Sequence, residues 1–517
     1  MSSPKVENRT LFIHDNLPVM RGLNSNSVDL IATDPPFNSK RIFNAPMGSR
    51  SAEQEFDDRW VWDEVTDDWN DLLGTDHPAI RRIIESAVLI EGGHINPKNG
   101  RIDTGNVKNS IGAYLAWMAP RIIEMKRVLK PEDSIYLHCD HNANSYLKLL
   151  LDSIFGRSKL QATIIWQRTS AHNDKVFGRV SDTILCYGSP PMDDPFNRLP
   201  LDKAYIDKHY RHIDERGEWQ SDDLTGPRTS KGESSKPWRD FDPAEHGGRC
   251  WSEPKRGEYA KYIDEVLIPG YLSVKSVHGR LDLLDKHDLI HYPTEGASKS
   301  ESLPRLKRYL MPRQSRMLTN IWTDIPNLSA RNKEYTNWST QKPLPLYARM
   351  IRASSEEGNV VLDPFCGCAT TCVAAEMLKR QWIGIDIDPK AEEVSKDRLR
   401  DEVDFWENSE LAVAVKKNPP RRSDIEHLSY AKLRFTLWNS QAGKCANPHC
   451  SSRKKGDGTI REEDTQAVHR IPKSRGCEDD LTNRIGLCGD CNSRKSAKSW
   501  GEFLVSEYAN LPIHGRM

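Results

Sequence analysis

No run of this sequence stays apolar for the roughly 20 residues that a membrane-spanning helix needs, which excludes a helical membrane protein. Net charge is missing too. The 74 Lys and Arg residues balance 74 Asp and Glu, so affinity for a polyanion must come from local basic patches. The opening stretch, Met1 to Thr10, is polar and lacks the apolar core of a secretory signal. A cytoplasmic location is therefore expected. There is no Gly-Lys-Ser/Thr signature, so a phosphate-cradling P-loop is not supported. Internal repeats are absent. The eleven cysteines are an odd number for a disulfide framework. Four of them form two short hooks near the C-terminus, which suits metal ligation in a reducing compartment.

What remains is a polar chain of 517 residues, 37% hydrophobic and 29% charged, with room for about two to four domains. Composition divides it. Residues 9–187 alternate short apolar runs with amphipathic stretches. Val28 to Thr33 reads as a buried strand stopped by Pro35-Pro36. Helices are expected over Ala113 to Leu129 and Tyr146 to Ile154. Strands are expected over Ser134 to His138, Ala162 to Trp166 and Thr183 to Tyr187. Alternating strands and helices predict a mostly parallel sheet covered on both faces. Residues 188–328 are rich in Gly, Pro, Trp, Arg and Asp and show little periodicity. Their Arg/Lys–aromatic mixture suits phosphate contact and base stacking, or else a small aromatic core. Residues 329–405 return to α/β character. Residues 406–429, with Lys416 to Arg422 basic and Pro-containing, read as a linker, and 430–505 as a small cysteine-rich module.

Two motifs carry chemistry. Asp34-Pro35-Pro36-Phe37 follows the Val28–Thr33 strand, at the carboxyl end where open α/β sheets bind ligands. An exocyclic amine is a poor nucleophile because its lone pair is conjugated into its ring. The Asp34 carboxylate and the Pro35 carbonyl can each accept one of its N–H bonds and free that lone pair. Pro35 and Pro36 fix the backbone and offer no competing donor. Phe37 can stack on an extruded base. The second motif, Asp363 to Thr371, follows the strand Val360 to Leu362. Gly367 permits close backbone approach, and Thr370 and Thr371 are placed to cap the next helix. Asp386 ends the following strand, placed for ribose hydroxyls. A nucleoside without phosphates fits this turn, as in S-adenosylmethionine. Cys366, Cys368 and Cys372 read as small packing residues, not nucleophiles.

Together these blocks resemble the permuted beta class of amino-DNA methyltransferases, in which the catalytic motif precedes the cofactor motif. The resemblance spans about Leu11 to Arg400. It runs through Phe12 to Leu17, Ser27 to Asn38, Arg127 to Pro131, Ser134 to Asp140, Thr340-Gln341-Lys342-Pro343 and the glycine turn. It implies a Rossmann-like S-adenosylmethionine-dependent α/β fold with an irregular target-recognition insertion. It also implies double-stranded DNA as partner, a target base flipped to Asp34–Phe37, and cofactor contacts at Asp363, Phe365, Gly367 and Asp386, with Asp15 near the cofactor adenine. The Asp form of the tetrapeptide points to adenine N6; Ser there would point to cytosine N4, the alternative target. Oligomeric state stays open, a homodimer included. Ala369 stands where the family usually has Gly.

The C-terminal hooks are Cys445-x4-Cys450 and Cys488-x2-Cys491, a set that suits tetrahedral structural zinc. With His469, Asn483 and Asn492 they resemble the ββα zinc module of HNH nucleases. The resemblance implies His469 as general base, Asn483 as its orienter, and Asn492 as holder of a catalytic Mg2+. Val468 departs from it, standing where a cation ligand is usual. Two readings follow: a nuclease, or a DNA-binding appendage that meets phosphates through Arg494, Lys495 and Lys498.

Overall fold

The computed structural model describes residues 6–39, 41–44, 55–73, 77–95, 102–103, 110–170, 177–188, 199–201, 203–227, 232–293, 303–311, 315–316, 318–329, 331–403, 412–424, 428–448, 450, 459–470, 472 and 483–509. The chain forms two compact units, residues 198–317 and the remainder.

The larger unit is built on nine described strands: β1 Thr10–Ile13, β2 Val28–Thr33, β3 Leu129–Cys139, β4 Leu160–Gln167, β5 Ser181–Tyr187, β6 Ile321–Trp322, β7 Val360–Asp363, β8 Gln381–Asp386 and β9 Ala414–Lys416. Their order is β6-β4-β5-β3-β2-β7-β8-β1-β9. Pairing is parallel except where β5 lies antiparallel between β3 and β4. Its helices include α1 Asn16–Gly22, α2 Ile111–Val128, α3 Asn144–Phe155, α4 Leu344–Ser354, α5 Thr370–Met377 and α6 Lys390–Val403. This is the Rossmann-like fold expected.

Strand β2 is buried along its whole length, as a central parallel strand must be. Its side chains alternate between two cores. Ile31 joins Ile135, Leu137 and the α2 and α3 side, while Leu30 and Ala32 join Leu346, Tyr347 and Val373 of α4 and α5. Register sets Leu30 beside Val361 and Thr33 beside Leu137, and Ile13 beside Asp386. The carboxyl ends of β3, β2, β7, β8 and β1 therefore form one rim. The antiparallel β5 brings its first residues to that same rim, with Asp182 opposite Trp166.

The smaller unit is less irregular than its composition suggests. Strands His212–Asp214, Gly217–Asp223, Arg305–Tyr309 and Ile290–His291 form an antiparallel sheet in that order. Its core is aromatic, with Trp219, Trp238, Trp251, Tyr259, Tyr271 and Tyr309 buried. These rings are packing residues and not a base-stacking surface. The alternation of its strands is hidden because charges pair across them, Asp223 with Arg305 and Asp222 with Arg308 at 2.9 Å.

The expected linker is partly structured. Strand β9 extends the main sheet beside β1. The residues after it dock on the α1–β2 turn: the Ser423 amide donates to Asn24 Oδ1 at 2.8 Å and the Ser25 amide to Asp424 Oδ2 at 2.8 Å. Pro420 lies so close that a Cβ on Gly22 would meet its carbonyl oxygen at 2.0 Å. The side chains of Asn24 and Asp424 anchor the segment, which a basic, Pro-containing composition does not reveal.

Burial would raise the Asp424 pKa, but hydrogen bonds from Arg422 and the Ser25 amide outweigh it and hold the carboxyl at about 2. A depressed folded-state pKa stabilises above the unfolded value, and that stability is lost as pH falls through the folded one. Thermal melts of wild type and Asp424→Asn should therefore differ at neutral pH, draw together as pH falls below about 4 and converge near pH 2. A gap that is absent at neutrality, or unchanged in acid, contradicts the anchor.

Candidate active site and metal centre

The rim encloses a cavity of about 350 Å³, lined by residues from both halves of the motif set, among them Asp15, Asp34, Pro35, Pro36, Phe37, Phe365, Gly367 and Asp386. These expected site residues converge although they come from distant parts of the chain. Trp60, Trp117, Trp338 and Lys342 complete the wall, and the sequence reading gave none of them a role.

The Asp34–Phe37 tetrapeptide is held on several sides. Tyr114 of α2 donates to the Pro36 carbonyl at 2.6 Å. Among the described residues nothing donates to the Pro35 carbonyl, the acceptor expected for an amine. The backbone then turns through Asn38 at φ 58°, where Asp58 accepts from the Asn38 and Ser39 amides at 2.9 and 2.6 Å. Burial pushes the Asp58 pKa up despite those bonds. Lys342 binds Asp34 Oδ2 at 2.5 Å and lies 5.1 Å from the Phe37 ring centroid. His138, buried at the end of β3, sits between two carboxylates: its Nδ1 is 3.4 Å from Asp34 Oδ1 and its Nε2 3.2 Å from Asp182 Oδ2.

The residues expected on the cofactor side differ in what they bond. Asp15 caps α1, accepting from the Leu17 amide at 2.8 Å, and meets the buried Arg121 at 3.2 Å. Arg121 in turn stacks on Trp117 at 3.8 Å, and Trp117 leans on Trp60 and Phe365. Asp386 accepts from the Gly367 and Asp388 amides at 2.8 Å each, and burial raises its pKa to about 6. Asp363 was expected to contact cofactor, but it is buried and engaged at both oxygens by the protein itself. It accepts from Thr33 at 2.6 Å, Thr371 at 2.6 Å and the Phe365 amide at 3.0 Å. It shapes the turn. Burial raises its pKa to about 7, against the pull of those bonds.

The two threonines expected to cap α5 do not. The cap position is Ala369; Thr371 is spent on Asp363, and Thr370 accepts from Arg398 at 2.8 Å. Ala369 is left-handed at φ 62°, a conformation that costs an L-residue about 1–2 kcal/mol. The buried Arg398 holds it there, bonding the Cys368 carbonyl at 3.0 Å. Gly367 is also left-handed, and a Cβ on it would come 3.0 Å from the Trp338 indole nitrogen. Cys366, Cys368 and Cys372 are buried packing residues, with the Cys366 and Cys372 sulfurs close against Gly384.

The lining is acidic. Asp15, Asp34, Asp58, Asp386 and Asp388 face one lysine, Lys342. Such a wall disfavours a phosphorylated nucleotide and suits a cationic nucleoside such as a sulfonium.

In the C-terminal region, α7 Tyr430–Ser440, β10 Gln466–His469, β11 Arg484–Leu487, α8 Gly489–Lys495 and α9 Trp500–Ala509 follow one another, and β10 pairs antiparallel with β11. Cys445, Cys450, Cys488 and Cys491 converge with all four sulfurs within 4.8 Å of one another. Asn447 and Arg494 each donate to Cys491 Sγ at 3.3 Å, and the Cys488 amide to Cys445 Sγ at 3.4 Å. Such donors suit thiolates around a metal. Val468 packs against this cysteine core, while Ala467 packs on Leu433 and Leu437 of α7. Strand alternation sets His469 on the Ala467 side. Asn492 instead donates to Gln466 at 2.6 Å on the Val468 side. The carbonyl of Asn483 accepts from the Arg470 amide at 2.7 Å. Asp464 pairs with Arg461 at 2.8 Å. Lys495 is buried on the Lys498 carbonyl at 2.6 Å and Arg494 is engaged by Glu507 at 2.9 Å, so these two expected phosphate contacts are turned to structural use.

A family model described as DNA methylase matches residues 28–397. The type II methyltransferase M.EcaI of Enterobacter cloacae is 30% identical over 279 residues, covering 53% of this chain and 54% of that protein. The DNA adenine methyltransferase YhdJ of Escherichia coli (strain K12) is 38% identical over 110 residues, covering 21% of this chain and 37% of that one. The chain thus spans about half the length of the first relative and about a third of the second. The solved PvuII DNA methyltransferase, cytosine-N4-specific, aligns at 13% identity and a TM-score of 0.35 over 77% of this chain and 89% of that chain.

Replacing Ala369 by Gly should relieve the left-handed strain. The gain is offset in part by unfolded-chain entropy, leaving about 0.5–1 kcal/mol of added stability. Denaturant titration reads it directly. A destabilised variant would mean that the methyl group packs productively at that turn.

Proposed function

Because the chain belongs to the DNA methylase family of N6/N4 amino-methyltransferases, we propose that it methylates an exocyclic amine of duplex DNA, adenine N6 in particular. S-adenosylmethionine supplies the electrophilic methyl group. The observation that carries this reading is the convergence of Asp34 and Pro35 with the acidic, aromatic wall of Phe365, Trp338 and Asp386 in one cavity. Asp34 and Pro35 accept the amine's two N–H bonds and orient its lone pair away from the ring. Phe37 stacks on the flipped base, and its rotation out of the duplex is the step that admits the base to the cavity. Phe365, Trp338 and the Gly367 backbone form the cofactor side, with Asp386 for ribose hydroxyls and Asp15 for the adenine. The aspartate at position 34, charged where a hydroxyl would only be polar, favours adenine.

Residues 198–317 are the proposed target-recognition unit. We assign the four cysteines to structural zinc: a tetrahedral set with Zn–S near 2.3 Å places sulfurs about 3.8 Å apart, and Cys450 and Cys488 already lie at 3.6 Å. The module serves as a zinc-stabilised appendage and not a nuclease, the reading favoured by Val468 in the cysteine core and by His469 and Asn492 on opposite sides of β10; of its expected phosphate contacts, Lys498 is the one not engaged by Glu507 or buried on a carbonyl.

Asp34→Ala should lower methyl transfer by at least about 100-fold, the scale of losing one oriented polar group at a reacting atom, with S-adenosylmethionine affinity retained in calorimetry. Transfer at the wild-type rate would refute the assignment of Asp34. For the module, a plasmid-nicking assay with Mg2+ or Mn2+ should give no cleavage above a His469→Ala control. Metal-dependent nicking lost in that control would restore the nuclease.

A further inference from the structure

A run of contacts within the larger unit joins the cysteine centre to the cofactor side of the cavity. Cys491 Sγ accepts from Asn447 Nδ2 and Arg494 Nη2 at 3.3 Å each. Both donors also hold Glu507 Oε2 of α9, at 2.9 Å each. Trp500 and Phe503 of the same helix are buried in the cysteine core, so the cysteine cluster sets the seat of α9. Helix α9 also packs on a short helix, Thr66–Leu73, which packs in turn on α2. Trp69 and Leu72 of the short helix are buried in the main core, and its Asp68 lies 3.7 Å from Arg121 of α2. Arg121 reaches three lining residues at once. It bonds Asp15 at 3.2 Å and Asn16 at 2.9 Å and stacks on Trp117 at 3.8 Å. Asn16 donates onward to the Pro364 carbonyl at 2.7 Å, in the turn that carries Phe365 and Gly367. The Arg121 side chain is 3% exposed. A guanidinium so buried depends on its counter-charges, and among the described residues Asp15 and Asp68 supply them. An eight-residue helix has little stability of its own, so the place of Asp68 depends on what packs around it.

We infer that metal at the four cysteines sets how tightly the cavity holds S-adenosylmethionine, through α9, the Thr66–Leu73 helix and Arg121. This rests on the zinc and cofactor sites proposed above. With the two cysteine hooks drawn together, Asn447, Arg494 and Glu507 fix α9 against Thr66–Leu73. Asp68 then keeps Arg121 on Asp15, Asn16 and Trp117. With the metal removed, the four thiols no longer define one geometry. Helix α9 loses its anchor, and the guanidinium at the cavity wall loses one counter-charge. Coupling between two such sites is typically worth about 5- to 150-fold in affinity, and it is reciprocal. Asp68 lies outside the cavity lining and Glu507 outside the four-cysteine set, so both are positioning residues.

Calorimetric titration of the full chain with S-adenosylmethionine reads the coupling, first on zinc-loaded protein and then on protein stripped by a chelator under a reducing agent. Affinity should fall at least about 5-fold on stripping. Competition for zinc against a chromophoric chelator reads the reverse direction. Saturating S-adenosylmethionine should tighten zinc binding by the same factor, a return that irreversible damage on stripping would not give. Asp68→Asn and Glu507→Ala cut the run near its two ends, and each should bring both factors to within about twofold of one. Equal affinity in loaded and stripped protein would overturn the inference. So would a loss on stripping without the reciprocal gain in zinc binding, or a factor undiminished in either variant. A chain that binds no zinc, or one that binds zinc but no S-adenosylmethionine in either state, would overturn the assignment of that site itself, a separate and recognisable failure.

Discussion

The Asp363 carboxylate accepts hydrogen bonds from Thr33 at the end of β2, from Thr371 in the first turn of α5 and from the Phe365 amide. Thr33 lies 330 residues earlier in the chain. This buried knot ties the strand that delivers Asp34 to the loop that delivers Phe365 and Gly367. Parallel pairing of β2 with β7 sets their axial register, and Asp363 fixes how the two chains leave the sheet. Burial raises its pKa to about 7, so the carboxyl is retained against its own desolvation, as expected where a polar group specifies a geometry. The relative placement of the two halves of the cavity depends on it.

Around that knot the site separates into surfaces of different character. Asp34, Pro35 and Phe37 offer acceptors and a ring to one ligand. Phe365, Trp338 and Asp386 offer a ring wall and carboxylates to another. The cavity brings both sets to one side of the sheet because parallel strands direct their carboxyl ends together. Arg398 and Tyr114 are outside the cavity lining, yet each fixes a backbone beside it: Arg398 holds the strained Ala369 turn and Tyr114 holds the Pro36 carbonyl.

Asp34–Phe37 and the glycine turn were legible in the sequence because each is a local signal, a buried strand run followed by a breaker. The cysteine hooks were legible by spacing alone. Asp182 and Asp58 were not, and His138 and Lys342 stood in recognised blocks without a role, since each acquires its partner through tertiary convergence. Asp182 reaches the rim because β5 runs antiparallel, which no local pattern announces. The middle region read as irregular because its core is aromatic and its strands pair charges across the sheet. The segment after β9 read as a linker because single polar anchors leave no periodic trace. At Val468 the departure from the nuclease pattern had a physical meaning: its isopropyl group belongs to the cysteine core.

The central claim is that the Asp34 cavity methylates the N6 amine of adenine. Nucleoside mass spectrometry tests it most directly, on DNA from a methylation-deficient host expressing either the intact chain or Asp34→Ala. The account predicts N6-methyladenine with the intact chain and none with the variant. N4-methylcytosine in its place, or N6-methyladenine that survives the substitution, would contradict it.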